Sequence, residues 1–172
     1  MTWTAPEIAR PDIPFIADER AMLESWLDFH RQTLLHKCAG LTPEQLKQRA
    51  VPPSSMSLLG LVRHMADVER WSFRRNPGEA LDPIYWDTDN SGDADFDEVD
   101  TADPEADFAV FHNEVEAARK AAADRTLDDA FRSKRGNEIS MRWVYAHMIE
   151  EYARHNGHAD LLRECIDGAT GT

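Results

Sequence analysis

Residues 141–167, MRWVYAHMIEEYARHNGHADLLRECID, decide how this chain is read. At about 100° per residue, Val144, Met148, Ala159 and Leu162 fall on one apolar stripe, which is the pattern of a helix that packs one face inward. Glu151 and His155 lie within about 20° of the centre of that stripe, where a packed helix ordinarily carries only hydrocarbon. A carboxylate and an imidazole four residues apart are neighbours on successive turns, so their donor atoms can converge on one ion. His158 continues the ladder at i+7, and His147 extends it one turn toward the N-terminus. Metal binding is the first hypothesis. The same spacing also fits a buried hydrogen-bonded network, since buried polar groups need partners but not a metal.

Working outward, three more long helices are legible. Leu23, Leu27, His30 and Leu34 recur at helical spacing between Asp18 and Lys37, and Gly40 supplies a stop. Thr42 before Pro43 and Glu44 predicts an N-cap and a short helical turn over LTPEQLKQRA, broken at Pro52-Pro53. The second long helix begins at the serine cluster 54–57 and runs to about Arg75, with Leu58, Leu59, Leu61, Val62, Met65 and Val68 on two faces, as a central helix requires. His64 lies in a sector that such a helix also buries. The third runs from Asp103 or Pro104 to about Asp124, with Phe108, Phe111, Val115 and Ala118 on one side. Between Gly78 and Asp103 the chain is acidic and aperiodic, and it reads as a long crossover loop. Strand signals are nearly absent, because Asn137 to Ile139 is too short and RSKRGNEI reads as a connector. The expected architecture is an all-α four-helix bundle with a long acidic crossover, one domain over residues 1–172 with its core at about 16–167.

Composition narrows the function. With 42% apolar and 30% charged residues the chain reads as globular, and no apolar run approaches the roughly 20 residues of a membrane span. The N-terminal MTWTAPEIARPDIPF lacks the features of a signal peptide, so a cytoplasmic location is expected. Cys38 and Cys165 are too few for a disulfide scaffold. A net charge of -13 repels phosphate backbones, which disfavours nucleic-acid partners and leaves a small-molecule substrate.

SLLGLVRHMADVERWSFR on the second long helix and RWVYAHMIEEYARHNGHADLLRE on the last resemble the DinB/YfiT-like metalloenzyme superfamily, with the nearest likeness to its actinobacterial mini-DinB branch. The resemblance spans about Ile16 to Asp167. It implies a divalent metal bound by one histidine of the second helix and two residues four apart on the last, in a bundle that commonly forms homodimers. Carried onto this sequence, that names His64, Glu151 and His155 as ligands, with His158 an additional candidate and His147 one turn away. Many relatives have histidine where Glu151 stands, whereas the mycothiol-dependent maleylpyruvate isomerase members use glutamate.

Two nitrogens and one carboxylate with open positions suit zinc or nickel first, and iron or manganese next. Such a centre can hold a small thiol as its thiolate or lower the pKa of a bound water, giving thiol-dependent S-transfer or isomerisation on one hand and hydrolysis on the other. The resemblance favours the first, with a low-molecular-weight thiol such as mycothiol or bacillithiol. A non-catalytic metal- or ligand-binding bundle is the alternative. The general base is unassigned, with Asp67, Glu150 and Tyr152 within about a turn of the candidate ligands.

Other motifs compete less well. Asp87 to Glu98, DTDNSGDADFDE, matches the spacing of a calcium loop, but Pro83 precedes it and VDTADP cannot supply an exit helix, so a solvated acidic loop is expected. His30 reads as a core histidine, His36 and His112 as surface residues. Trp26, Trp71 and Trp143 read as core or pocket wall, with Trp71 two turns past His64 and able to line an entrance.

Overall fold

The computed structural model describes residues 3–86, 92–133 and 135–171. Six helices and one small hairpin follow in chain order: α1 (Glu19–Cys38), α2 (Pro43–Lys47), α3 (Leu58–Arg70), α4 (Ala94–Asp97), α5 (Pro104–Ala123), β1 (Ala130–Arg132), β2 (Glu138–Ser140) and α6 (Met141–Asp167). A 3₁₀ turn, Val99–Thr101, precedes α5. The architecture is all-α, a helical bundle of α1, α3, α5 and α6.

Each long helix starts where a side chain satisfies its free N–H groups. Asp18 caps α1, Ser57 caps α3, Asp103 caps α5 ahead of Pro104, and Ser140 caps α6. Thr42 and Gln45 close a reciprocal capping box on α2. Gly168, at φ 80°, ends α6 in the left-handed region that glycine adopts without a Cβ penalty.

α1 packs on α6 and α3 on α5, and contacts of α3 with both α1 and α6 close the bundle. Leu27, Leu34, Leu61, Met65, Phe111 and Met148 are among the side chains of its continuous apolar core. A polar clamp runs through it: Arg31 donates to both oxygens of Glu69 at 2.7 Å, and the Tyr152 hydroxyl donates to Glu69 Oε1 at 2.8 Å. Three helices are thereby tied at one fully buried carboxylate.

The acidic crossover departs from the expected loop. Its described part folds into α4 and the 3₁₀ turn because α3 offers it specific partners. Asp67 accepts backbone N–H groups from Ile84, Tyr85 and Trp86 at 2.7, 2.8 and 3.1 Å. Arg63 donates to the carbonyls of Asp95 and Ala94 at 3.0 and 3.3 Å, and to Asp107 at 3.2 Å. Phe96 lies over Gly60 so closely that a Cβ there would come within 2.6 Å of its ring. Asp95 is therefore buried, not solvated. Positions 87–91 of the calcium-like stretch lie outside the described residues.

Two further differences concern local geometry. RSKRGNEI is not a plain connector, since β1 and β2 pair antiparallel with Phe131 opposite Ile139, too short a ladder to leave a sequence period. The second long helix reaches Arg75, but its last turn, Trp71–Arg75, is a π-helical turn in which Asn76 N–H donates to the Trp71 carbonyl at 2.9 Å. Among the described residues no helix is long and apolar enough to cross a membrane.

Candidate metal centre

α3 and α6 bring His64, Glu151 and His155 together. One donor atom from each lies within 4.8 Å of the others, and the His64 and His155 rings are 4.7 Å apart between centroids. His155 Nε2 is 3.6 Å from Glu151 Oε2, the distance expected for an i, i+4 pair on one helical face. All three side chains are mostly buried yet retain some exposure, at 19, 15 and 12% respectively, and His64 and Glu151 line a cleft.

The remaining nitrogens of the two histidines are engaged. His64 Nδ1 donates to the Asp95 carboxylate at 2.7 Å, so Nε2 is its free nitrogen. Asp95 also accepts from Trp86 Nε1 at 3.0 Å, which ties the crossover to the centre. His155 Nδ1 lies 3.4 Å from His158 Nδ1, an arrangement that requires one of the pair to carry the proton. Burial, reinforced by His64, His158 and Arg154 and opposed by Asp95, pushes the His155 pKa down to about 4, so its imidazole is neutral at pH 7.

The donor set suits a divalent ion. Ligand atoms about 2.1 Å from a tetrahedral ion stand about 3.4 Å apart, so donors within 4.8 Å of one another need draw in by about 1.4 Å at most, which side-chain rotation can supply. Two neutral imidazoles and one carboxylate carry a single negative charge to offset the ion, and a carboxylate oriented on the far nitrogen of a ligand histidine is a common support for such sites. His158 is not part of the converging triad. His147 Nε2 is 3.7 Å from Glu151 Oε1 and its Nδ1 3.5 Å from Glu150 Oε2, while its ring stacks on Trp143 at 4.7 Å.

A cleft of about 750 Å³ opens from the triad, with Trp71, Trp86 and Trp143 among its walls. A model of the mycothiol-S-transferase family matches residues 22–168. The chain belongs to the mycothiol-S-transferase family. The match agrees with the DinB-like, mycothiol-related resemblance carried by α3 and α6. No curated protein and no solved structure matches the chain.

Within this mycothiol-S-transferase family member, the general-base candidates are otherwise occupied. Asp67, 1% exposed, is spent on the three crossover N–H groups. Tyr152 is fully buried against Glu69, and Glu150 lies on the outer face paired with Arg154. His30 is not among the converging donors and meets Asn156 Nδ2 at 3.3 Å, with burial lowering its pKa. His112 is exposed as expected, whereas His36 is half-buried near the Ile8 carbonyl at 3.3 Å. Asp95 and Trp86 are the residues that sequence reasoning missed. An acid inside an acid-rich run carries no signal of burial, although the aromatics flanking it, Trp86 and Phe96, were a usable hint.

Proposed function

We propose that the protein is a divalent-metal-dependent thiol S-transferase in which His64, Glu151 and His155 hold the ion, zinc or nickel first and iron or manganese next. The observation that carries this reading is the convergence of three donors from two helices, two of them lining a cleft, with Asp95 fixing the His64 tautomer. A cleft of about 750 Å³ falls within the usual range for small-molecule sites and has room for a thiol beside a second substrate.

A divalent ion there would supply Lewis acidity, lowering the pKa of a thiol brought into the cleft. The chain's own residues do the rest. His64 presents Nε2 inward because Asp95 holds its other nitrogen, and His155 stays neutral because it is buried. Trp71, Trp86 and Trp143 narrow the water-accessible volume around the reacting groups, which strengthens electrostatic interactions inside it. In the overall transfer the thiol S–H bond breaks, a sulfur–carbon bond forms at an electrophile, the leaving group departs with its electron pair and the proton passes to solvent or base. The proposed place of action is the cytoplasm, where the free thiols Cys38 and Cys165 stay reduced.

Elemental analysis of metal-replete protein, followed by a panel of low-molecular-weight thiols including mycothiol against a chromogenic electrophile, tests the proposal. One ion per chain, loss of that ion in His64→Ala and His155→Ala, and turnover with a thiol are the expected results. Protein that binds no stoichiometric ion and is unaltered by His64→Ala defeats it. Ion binding without turnover on any thiol leaves the non-catalytic binding bundle.

A further inference from the structure

In a chain with 32 acidic and 19 basic residues, Arg75 is a basic residue on the cleft wall that pairs with no acid among the described residues. Its neighbours on the same stretch, Arg70 and Arg74, both pair with Glu114, at 2.6 and 3.2 Å. Among the described residues the Arg75 guanidinium has no carboxylate partner, and its Nε is buried without an acceptor. Arg70 Nε is buried in the same way, so the part of Arg75 open to a ligand is the remainder of its half-buried side chain.

The π-helical turn carries Arg75 onto the wall of the cleft that also contains His64 and Glu151, and its guanidinium lies over the Trp71 ring at 5.0 Å from the centroid. Arg75 thus leans back one turn toward the triad, and Trp71 stands seven residues, about 10 Å of helix, beyond His64. A guanidinium over an indole ring can still offer its planar fork to a carboxylate and is already partly dehydrated. Arg135, from the turn between β1 and β2, lines the same cleft, as do the acids Asp82 and Glu151.

We propose that Arg75 anchors a carboxylate of the second substrate, so that the cleft accepts a small anionic organic acid with its carboxylate at the Trp71–Arg75 wall. That this acid is the electrophile of the transfer rests on the S-transferase reading; the anion site itself does not. A neutral, hydroxyl-rich group would give no use to a positive charge that meets no acid among the described residues.

Calorimetric titration of the purified full chain with succinate, neutral succinamide and inorganic phosphate tests it. Succinate is expected to bind, succinamide not to bind, and Arg75→Gln to weaken succinate by about tenfold or more, with Arg75→Lys between. An unchanged thermal midpoint in both variants shows that the fold survives. Equal binding of succinate by wild type and Arg75→Gln overturns the inference, as does succinamide binding as well as succinate or phosphate binding more tightly than either. Given a working thiol, Arg75→Gln should raise KM for a carboxylate-bearing electrophile and not for its neutral amide or for the thiol, and a rise confined to the thiol also overturns it. If no thiol is turned over at all, the S-transferase reading falls while the titration still decides the anion site.

Discussion

Asp95 Oδ2 lies 2.7 Å from His64 Nδ1, and the aspartate carrying it is 1% exposed. A buried acid in this position has one evident use, which is to hold the imidazole in a single tautomer and orientation with Nε2 toward Glu151 and His155. Removing its charge while keeping its shape should weaken the ion without unfolding the chain. Asp95→Asn is expected to lower divalent-ion affinity by about 10–100-fold, measured by competition with a chelator of known affinity. The asparagine carbonyl can still accept from Trp86 or His64, so the thermal midpoint of the metal-free protein should move little. Undiminished affinity in Asp95→Asn would show that the aspartate is packing and not support.

Gly60 sets how closely the crossover can approach α3. A Cβ at this position would come within 2.6 Å of the Phe96 ring and 3.2 Å of Ser57 Oγ, so Gly60→Ala must displace the residue next to Asp95. Overpacking of this kind costs about 1–3 kcal/mol. The expected outcome is a lower midpoint in urea together with weaker ion binding, since the same shift moves Asp95 off His64. Gly60→Ala that loses stability but binds the ion as wild type does would separate the crossover from the centre.

Glu69 is the point at which α1, α3 and α6 are tied, fully buried between Arg31 and Tyr152. Removing one partner of a buried ion pair strands the other, so Glu69→Ala should cost about 3–5 kcal/mol. Tyr152→Phe, which removes one hydrogen bond and little volume, should cost about 1 kcal/mol. Replacing Arg31 and Glu69 together by apolar residues of similar volume is expected to recover most of the loss, because no charge is then left unpaired. Urea unfolding of the three variants checks the order, and a double variant as unstable as Glu69→Ala would contradict it.

The long helices are legible because their caps and apolar stripes are local signals that tertiary packing reinforces. Asp18, Ser57, Asp103 and Ser140 each stand just ahead of a 3.6-residue pattern. Glu151 and His155 are legible for a related reason, since polar side chains on a packing face must meet something when that face closes, whereas their meeting with His64 is implied only by the resemblance to the DinB-like family. What stays hidden depends on partners far along the chain. Asp67 and Arg63 fold the crossover through backbone groups that any residues could offer, so its acid-rich composition misleads. The three-residue strands are too short to show alternation, and the π-helical turn that swings Arg75 into the cleft leaves the apolar pattern of α3 almost unchanged.

The three tyrosines of the chain, Tyr85, Tyr145 and Tyr152, all have their ionisation pushed upward, chiefly by burial, and Cys38 shares the effect. Tyr145 rises to about 12 from an ordinary 10.0 and Cys38 to about 12 from 9.0, while Tyr152, beside Glu69, lies well above its ordinary value. The folded state therefore holds these protons more tightly than the unfolded one. The stability that this difference contributes is fully present below the unfolded values, near pH 9 for the thiol and near pH 10 for the phenols, and is lost as pH rises toward the folded ones. Unfolding free energy should accordingly be insensitive to these groups at pH 7–8 and fall above pH 9, by up to about 1.4 kcal/mol per pH unit for each group that titrates on unfolding. Tyrosinate absorbance should then appear together with loss of the helical circular-dichroism signal. A phenol that ionises near pH 10 while the helices remain intact would mean that the packing around Tyr145 and Tyr152 is looser than their burial implies.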